Sequence, residues 1–273
     1  ASVAADDTLR IWDTASGLPR PFIETLPTGS VDRLAFSSDN RWLGLLGGSR
    51  VLVVNTETGN VAAEVALGET HHDLAFGANA TIYLGSSNGA LNRVTFETPG
   101  TWSVQRLWQG ESPLRLLALS PRERFLVIVD DANNARQFEL ADGRMGDQQL
   151  NLPSPVEEVS FTPNGTRVLF RTSRWVHRVS VSPSGLGWLQ AIFAPRPLAA
   201  SRIVYANDAD GASGRTFFLP LPADGLVMLA PQRFDDYESQ GLFGKPEELL
   251  AEWRKRLGVV EAVKPAAESP PAD

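Results

Sequence analysis

Four stretches of this chain repeat one another at intervals of 40, 43 and 42 residues, and a period near forty limits the available folds more than any other property of the sequence. The stretches are VDRLAFSSDNRWLGLL, HHDLAFGANATIYLGS, LRLLALSPRERFLVIV and VEEVSFTPNGTRVLFR, anchored on Phe36, Phe76, Leu119 and Phe161. In each, an alternating strand runs into a polar turn (SSDN, GANA, SPRE, TPNG) and then into a second apolar strand. Alternation of apolar and polar residues argues for strands, and Asn, Asp, Gly and Pro at the breaks argue for hairpins. A third strand follows in every unit, as TLRIWD, RVLVVN, ALNRVTF, NARQFEL, WVHRVSV and RTFFLPL, and segments such as NVAAEVAL, SVQRLWQ and DQQLNLP supply a fourth.

Four short antiparallel strands in about forty residues make one blade of a β-propeller. Helical solenoids of similar period need a 3.6-residue apolar repeat, which these segments lack. An immunoglobulin-type sandwich has turns at similar spacing but not this internal resemblance. The expected fold is therefore all-β, a propeller of four-stranded antiparallel blades.

TLRIWDTASG resembles the third-strand signature and following turn of WD-repeat β-propellers, and LAFSSDN and VSFTPNG resemble the first strand and turn of the same family. The resemblance covers roughly residues 1–233, strongest in DDTLRIWD. Later third strands carry Val-Asn, Thr-Phe, Glu-Leu and Ser-Val in place of Trp-Asp, and no Gly-His pair occurs, so the family's His-to-Asp hydrogen-bond network is incomplete. These blades are expected to rely on strand pairing and packing. At about 42 residues per blade, about six blades are visible, with room for a seventh in a parent chain. Residues 1–25 hold a second, third and fourth strand with no first strand before them. The first blade is expected to be completed by the C-terminal region or by sequence upstream.

Residues 234–262 break the pattern. GKPEELLAEWRKRLG predicts a helix: Pro246 suits its first turn, Glu247 and Glu248 its N-terminal end, and Arg254, Lys255 and Arg256 its C-terminal end. Leu249, Leu250, Trp253 and Leu257 line one face, ready to pack on the propeller or on a partner. Residues 263–273, rich in Pro and Ala, read as a disordered tail. A propeller ending in this way is similar to the C-terminal ends of large bacterial multidomain proteins, in which a signalling or effector module precedes the WD repeats. That resemblance implies a sensing or scaffolding role and carries over no catalytic residues.

The chain has no cysteine, which removes disulfides, thiolate metal sites and cysteine nucleophiles together and fits a reducing cytoplasm, with the periplasm as the alternative. A net charge of −7 disfavours nucleic-acid binding, and no apolar run approaches the length of a membrane span. His71 and His72 are adjacent, and neighbouring strand residues point to opposite faces, so one metal ion cannot easily take both. His177 reads as structural. DDAN at 130–133 and NDADG at 207–211 read as polar turns, since the second lacks the closing Glu of a calcium loop. No nucleophile elbow, His-Glu-x-x-His or phosphate loop occurs, and inner strands such as LAF, LAL and VSF offer few metal ligands. A propeller hydrolase with a channel metal is thus the weakest alternative, and no cofactor or metal is expected.

What remains is a noncatalytic interaction or sensing scaffold, or else a periplasmic propeller in an envelope assembly. WD-repeat propellers commonly bind partners on the face where first strands begin. Matching blade by blade places Asp32, His72, Arg115 and Glu157 there, a mixed-charge ring suited to a protein or peptide loop. Other domains of the same chain are further candidate partners. Trp42, Trp102, Trp108, Trp175 and Trp188 are expected mostly between blades, and an exposed one would mark an anchor.

Overall fold

The computed structural model describes residues 1–3, 8–13, 18, 31–98 and 101–193, together with the strands at 204–205, 217–221 and 225–229. Four consecutive sheets, each of four antiparallel strands in sequence order, occupy the middle of the chain. A short hairpin of β1 (Ser2–Val3) and β2 (Leu9–Arg10) precedes them. Blade 1 is β3 (Arg33–Phe36), β4 (Trp42–Gly47), β5 (Arg50–Asn55) and β6 (Val61–Ala66). Blade 2 is β7 (His71–Phe76), β8 (Ile82–Ser86), β9 (Ala90–Thr98) and β10 (Thr101–Gln109). Blade 3 is β11 (Leu114–Leu119), β12 (Phe125–Asp130), β13 (Asn134–Glu139) and β14 (Arg144–Asn151). Blade 4 is β15 (Val156–Phe161), β16 (Arg167–Thr172), β17 (Trp175–Ser182) and β18 (Gly185–Phe193). A three-stranded sheet follows, of β19 (Val204–Tyr205), β20 (Phe217–Leu221) and β21 (Gly225–Leu229).

The anchors Phe36, Phe76, Leu119 and Phe161 each end a first strand, and the polar turns follow where the repeat puts them. Four complete blades are therefore seen, and the remaining expected strands fall in or beside residues outside the description. No helix occurs among the described residues. The chain divides into units at 1–229 and 230–273, and the second, with the expected helix and tail, lies outside the described residues.

The strands read as unbroken apolar runs because both of their faces are covered. In β12, Leu126 and Ile128 enter the core shared with blade 2, while Val127 and Val129 enter the core shared with blade 4. In β5, Val51 and Val53 face blade 2, while Leu52 and Val54 join Leu9 and Ile11 from the N-terminal segment. Sheets buried on both faces lose the polar alternation of a half-exposed strand. Each core thus belongs to two neighbouring sheets.

The turns after the first strands share one backbone device. Their fourth residues, Asn40, Ala80, Glu123 and Gly165, all have left-handed φ, between 51° and 71°. In three of the blades the first turn residue is a hydroxyl that caps the next strand. Ser37 Oγ accepts from Trp42 N at 3.0 Å, Ser120 Oγ from Phe125 N at 2.9 Å and Thr162 Oγ1 from Arg167 N at 3.2 Å. Blade 2 has Gly77 there, and Glu123 of blade 3 reaches across so that its Oε1 accepts from Ala78 N at 2.5 Å. Burial, with the Glu123 charge adding to it, raises the Tyr83 hydroxyl above its ordinary pKa.

Blade 2 also holds a polar network built from residues other than the family's pair. Ser86 Oγ donates to Asn88 Oδ1 at 2.5 Å, Asn88 donates to Glu69, and Asn92 Nδ2 donates to Glu69 Oε1 at 2.9 Å. The buried His71 completes it. Its Nδ1 lies 3.0 Å from the Glu69 carbonyl, which can only accept, so Nδ1 carries the proton and Nε2 accepts from Asn92 at 3.1 Å. Blade 2 therefore does not rest on strand pairing and packing alone.

This network makes stability pH-dependent. Burial lowers the pKa of His71, against its hydrogen bond to the Glu69 carbonyl and the Glu69 charge, and burial lowers that of His177. Both imidazoles are neutral when folded and take up protons more readily when unfolded, so stability rises with pH through this range. The contribution is complete above the ordinary value of 6.5 and is lost as pH falls towards the depressed folded values. Melting temperatures measured from pH 8 downward are expected to fall below about pH 6.5. H71Q is expected to flatten that slope at some cost in stability at neutral pH.

Candidate functional site

The first strands of all four blades border one cavity of about 720 Å3. Its wall includes Leu34 and Ala35 from β3, Leu74 from β7, Leu116 and Leu117 from β11, and Val159 and Ser160 from β15. Val3 of β1 and Val31 complete the apolar part. The charged part is Asp32, Arg33, Asp73, Glu157, Glu158 and Arg171.

Two of these groups hold the wall together. Arg171, in β16, is buried, and its guanidinium divides between two acids of β15: Nη1 lies 2.5 Å from Glu157 Oε2 and Nε 3.1 Å from Glu158 Oε2. Asp73 ties three blades. Its Oδ2 accepts from Leu117 N of blade 3 at 2.8 Å, and its Oδ1 lies 3.5 Å from Arg33 Nε of blade 1. D73A leaves the Leu117 N–H without its acceptor and is expected to cost about 1–3 kcal/mol. D73N keeps an oxygen that can accept and is expected to lose less than half of that. Urea unfolding midpoints for the two variants measure the difference.

The structure separates the four residues expected at the mouth. Asp32 and Glu157 line the cavity and are exposed. His72 and Arg115 are half-buried and are not among its lining residues. Arg115 turns away towards the turn after β12, with Nη2 3.2 Å from Asn133 Oδ1 and Nε 3.9 Å from Asp131. Three of the four also depart from the regular strand ladder. In β7 the partners of His71 and Asp73 on β8 are Ser86 and Gly85, which leaves His72 as an extra residue. Arg115 in β11 and Glu157 in β15 are extra residues in the same way. Three of the four thus sit on β-bulges, which re-aim a side chain locally.

Asp73, Glu158 and Arg171 were missed by matching the position after each strand's opening residue. The available signal was a charged residue at the next position, Arg33, Asp73 and Glu158, just before the apolar end of each strand. Arg171 offered none, since it lies near the end of the second strand of its blade. His71 and His72 divide as their adjacency implies, one buried and one half-buried, and His177 is buried with its ring stacked 6.3 Å from that of Trp175. Among the described residues, no group of three or more His, Cys, Asp or Glu is placed to hold a metal ion. No helix among them is long and apolar enough to cross a membrane.

Four-stranded antiparallel blades whose inner strands share one cavity have the architecture of a β-propeller. No family model matches the chain. Over 150 residues it is 28% identical to the WD repeat-containing protein SL1-17 of Schistosoma mansoni, an alignment covering 53% of this chain and 48% of that relative. The chain therefore spans about half the length of the curated relative it matches. The fold is thus that of a β-propeller, and the similarity is to a protein described as containing WD repeats.

Proposed function

We propose that this chain is a noncatalytic protein-interaction module that takes a protein or peptide partner at the mouth of the central cavity. The observation that carries this reading is the cavity itself: four inner strands converge on it, and the exposed Asp32 and Glu157 stand on its wall. Its mixed lining of apolar strand residues, four acids and two arginines offers a partner both burial and hydrogen bonds. In this reading His72 and Arg115 contribute from the flank of the mouth rather than from its wall. We place the module in a larger bacterial-type signalling or effector protein working in the cytoplasm. The resemblance of the segment from Pro246 to Gly258 and the absence of cysteine support that placement.

Photo-crosslinking residues at Asp32 and Glu157 test the mouth, with Glu64 on the outer strand β6 as the control. The expected result is one protein captured from both mouth positions and not from position 64. That protein should then bind the purified chain and lose at least about tenfold affinity to D32K/E157K. Capture at the mouth no greater than at position 64, or a captured protein indifferent to D32K/E157K, overturns the reading.

A further inference from the structure

The outermost strand of blade 2 is unlike a protected sheet edge. β10 runs nine residues and is exposed over its first six. Among the described residues, no strand pairs with its outer side. It also overhangs its sheet. β8 pairs with β9 only as far as Val94, so the Thr95–Ser103 and Phe96–Trp102 pairs extend past β8 as a two-stranded ribbon. Trp102, read as core from the sequence, is 37% exposed, and Val104 is 45% exposed.

Sheet edges are usually blunted by charge, bulges or shortness. The edge β6 has six residues and carries Glu64 within its run. The edge β14 is broken where Gly146, Asp147 and Gln148 face Gln137 without regular partners. β10 has one charged residue, Arg106, and no Gly or Pro. Its register with β9 shifts on both sides of Trp102–Arg106, which leaves those five residues as an uninterrupted stretch with Val104 at its centre.

We propose that β10 is a self-association edge, joining two copies of this chain by antiparallel pairing about a twofold axis through Val104. The stretch Trp-Ser-Val-Gln-Arg is self-complementary in that register. Directly opposed residues lie on one face of an antiparallel pair, so Val104 meets the second copy's Val104, and Trp102 meets the second copy's Arg106. A guanidinium beside an indole ring is an attractive cation–π pair, and the twofold supplies it twice. On the other face Ser103 meets the second copy's Gln105, a hydroxyl against an amide. No like charges oppose each other in this register. The contact is small for an interface, so a weak, reversible dimer is expected.

Sedimentation equilibrium of the full chain from about 1 to about 200 µM tests it, a range suited to small interfaces. A monomer–dimer equilibrium is expected, with amide exchange at residues 102–106 slowing as concentration rises. V104K sets two ammonium groups against each other on the axis and is expected to weaken the dimer at least about tenfold. Because Val104 is 45% exposed, the melting temperature of the V104K monomer should be little changed. A chain monomeric throughout that range overturns the proposal. So does a dimer in which neither V104K nor concentration affects residues 102–106.

Discussion

Replacing Phe170 with alanine is expected to lower the unfolding free energy by about 3–5 kcal/mol, the cost typical of emptying a buried aromatic site. Phe170 is fully buried in β16, within the core that blades 3 and 4 share. That core includes Val127, Val129, Ala135 and Leu150 from one blade and Val159, Val168 and Val179 from the other. These neighbours sit on paired strands whose backbones cannot close over the gap, so the cavity persists. The register Phe170↔His177 also sets the phenylalanine opposite a buried imidazole, and relaxation there would disturb a second packed side chain. F170L keeps most of the volume and is expected to cost under about 1.5 kcal/mol. Urea unfolding should show the midpoint falling for F170A with the denaturant slope unchanged. A loss below about 1 kcal/mol would mean that the two blades pack less tightly than the structure shows.

R171A should be the second large effect, at about 2–4 kcal/mol. Removing one partner of a buried pair typically costs about 3–5 kcal/mol, because the other charge is stranded. The lower figure applies here because the Glu157 side chain is 38% exposed and can turn to water. Glu158, at 14%, cannot, and without the guanidinium the two carboxylates repel each other. R171K retains the charge but replaces a planar fork with one ammonium, which cannot match both the Nη1 and Nε contacts, so it should recover only part of the loss. The triple variant R171M/E157Q/E158Q removes the charges together and should lie closer to wild type than R171A does. If R171A and the triple variant were equally unstable, stranded carboxylates would not be the cause of the loss.

The blades were legible in the sequence because their cause is local. A first strand ending at Phe36, Phe76, Leu119 or Phe161, and a turn that needs a left-handed fourth residue, leave the same trace in each unit. The turn at Gly77 shows the limit: the hydroxyl cap is absent from its own unit, and the Ala78 N–H of the turn is met by Glu123, 45 residues away on the next blade. The network around His71 is hidden for the same reason, since Glu69 and Asn92 meet only after three strands have paired. The cavity wall was half legible. Asp32 and Glu157 stand at the matched positions and line the cavity, but nothing in HHDLAF or LRLLAL marks the second residue as an extra one, because a bulge alters only register. Trp102 was misplaced because its aromatic character was read without the length of its hairpin, and four residues of overhang turn a core-like side chain into an exposed one.

The bulges have a consequence for how such a ring can change over time. His72, Arg115 and Glu157 stand outside the ladder, so none of them has a register partner on the next strand, although Glu157 remains tied to Arg171 of β16. An imidazole, a guanidinium and a carboxylate occupy equivalent places in successive blades without disturbing the pairing on either side. At His72 and Arg115 the rim can therefore be rewritten one residue at a time, while the strands beneath it keep the sequence that closes the cores. Inheritance of the scaffold and drift of its surface chemistry are uncoupled by a single extra residue in each of blades 2 and 3.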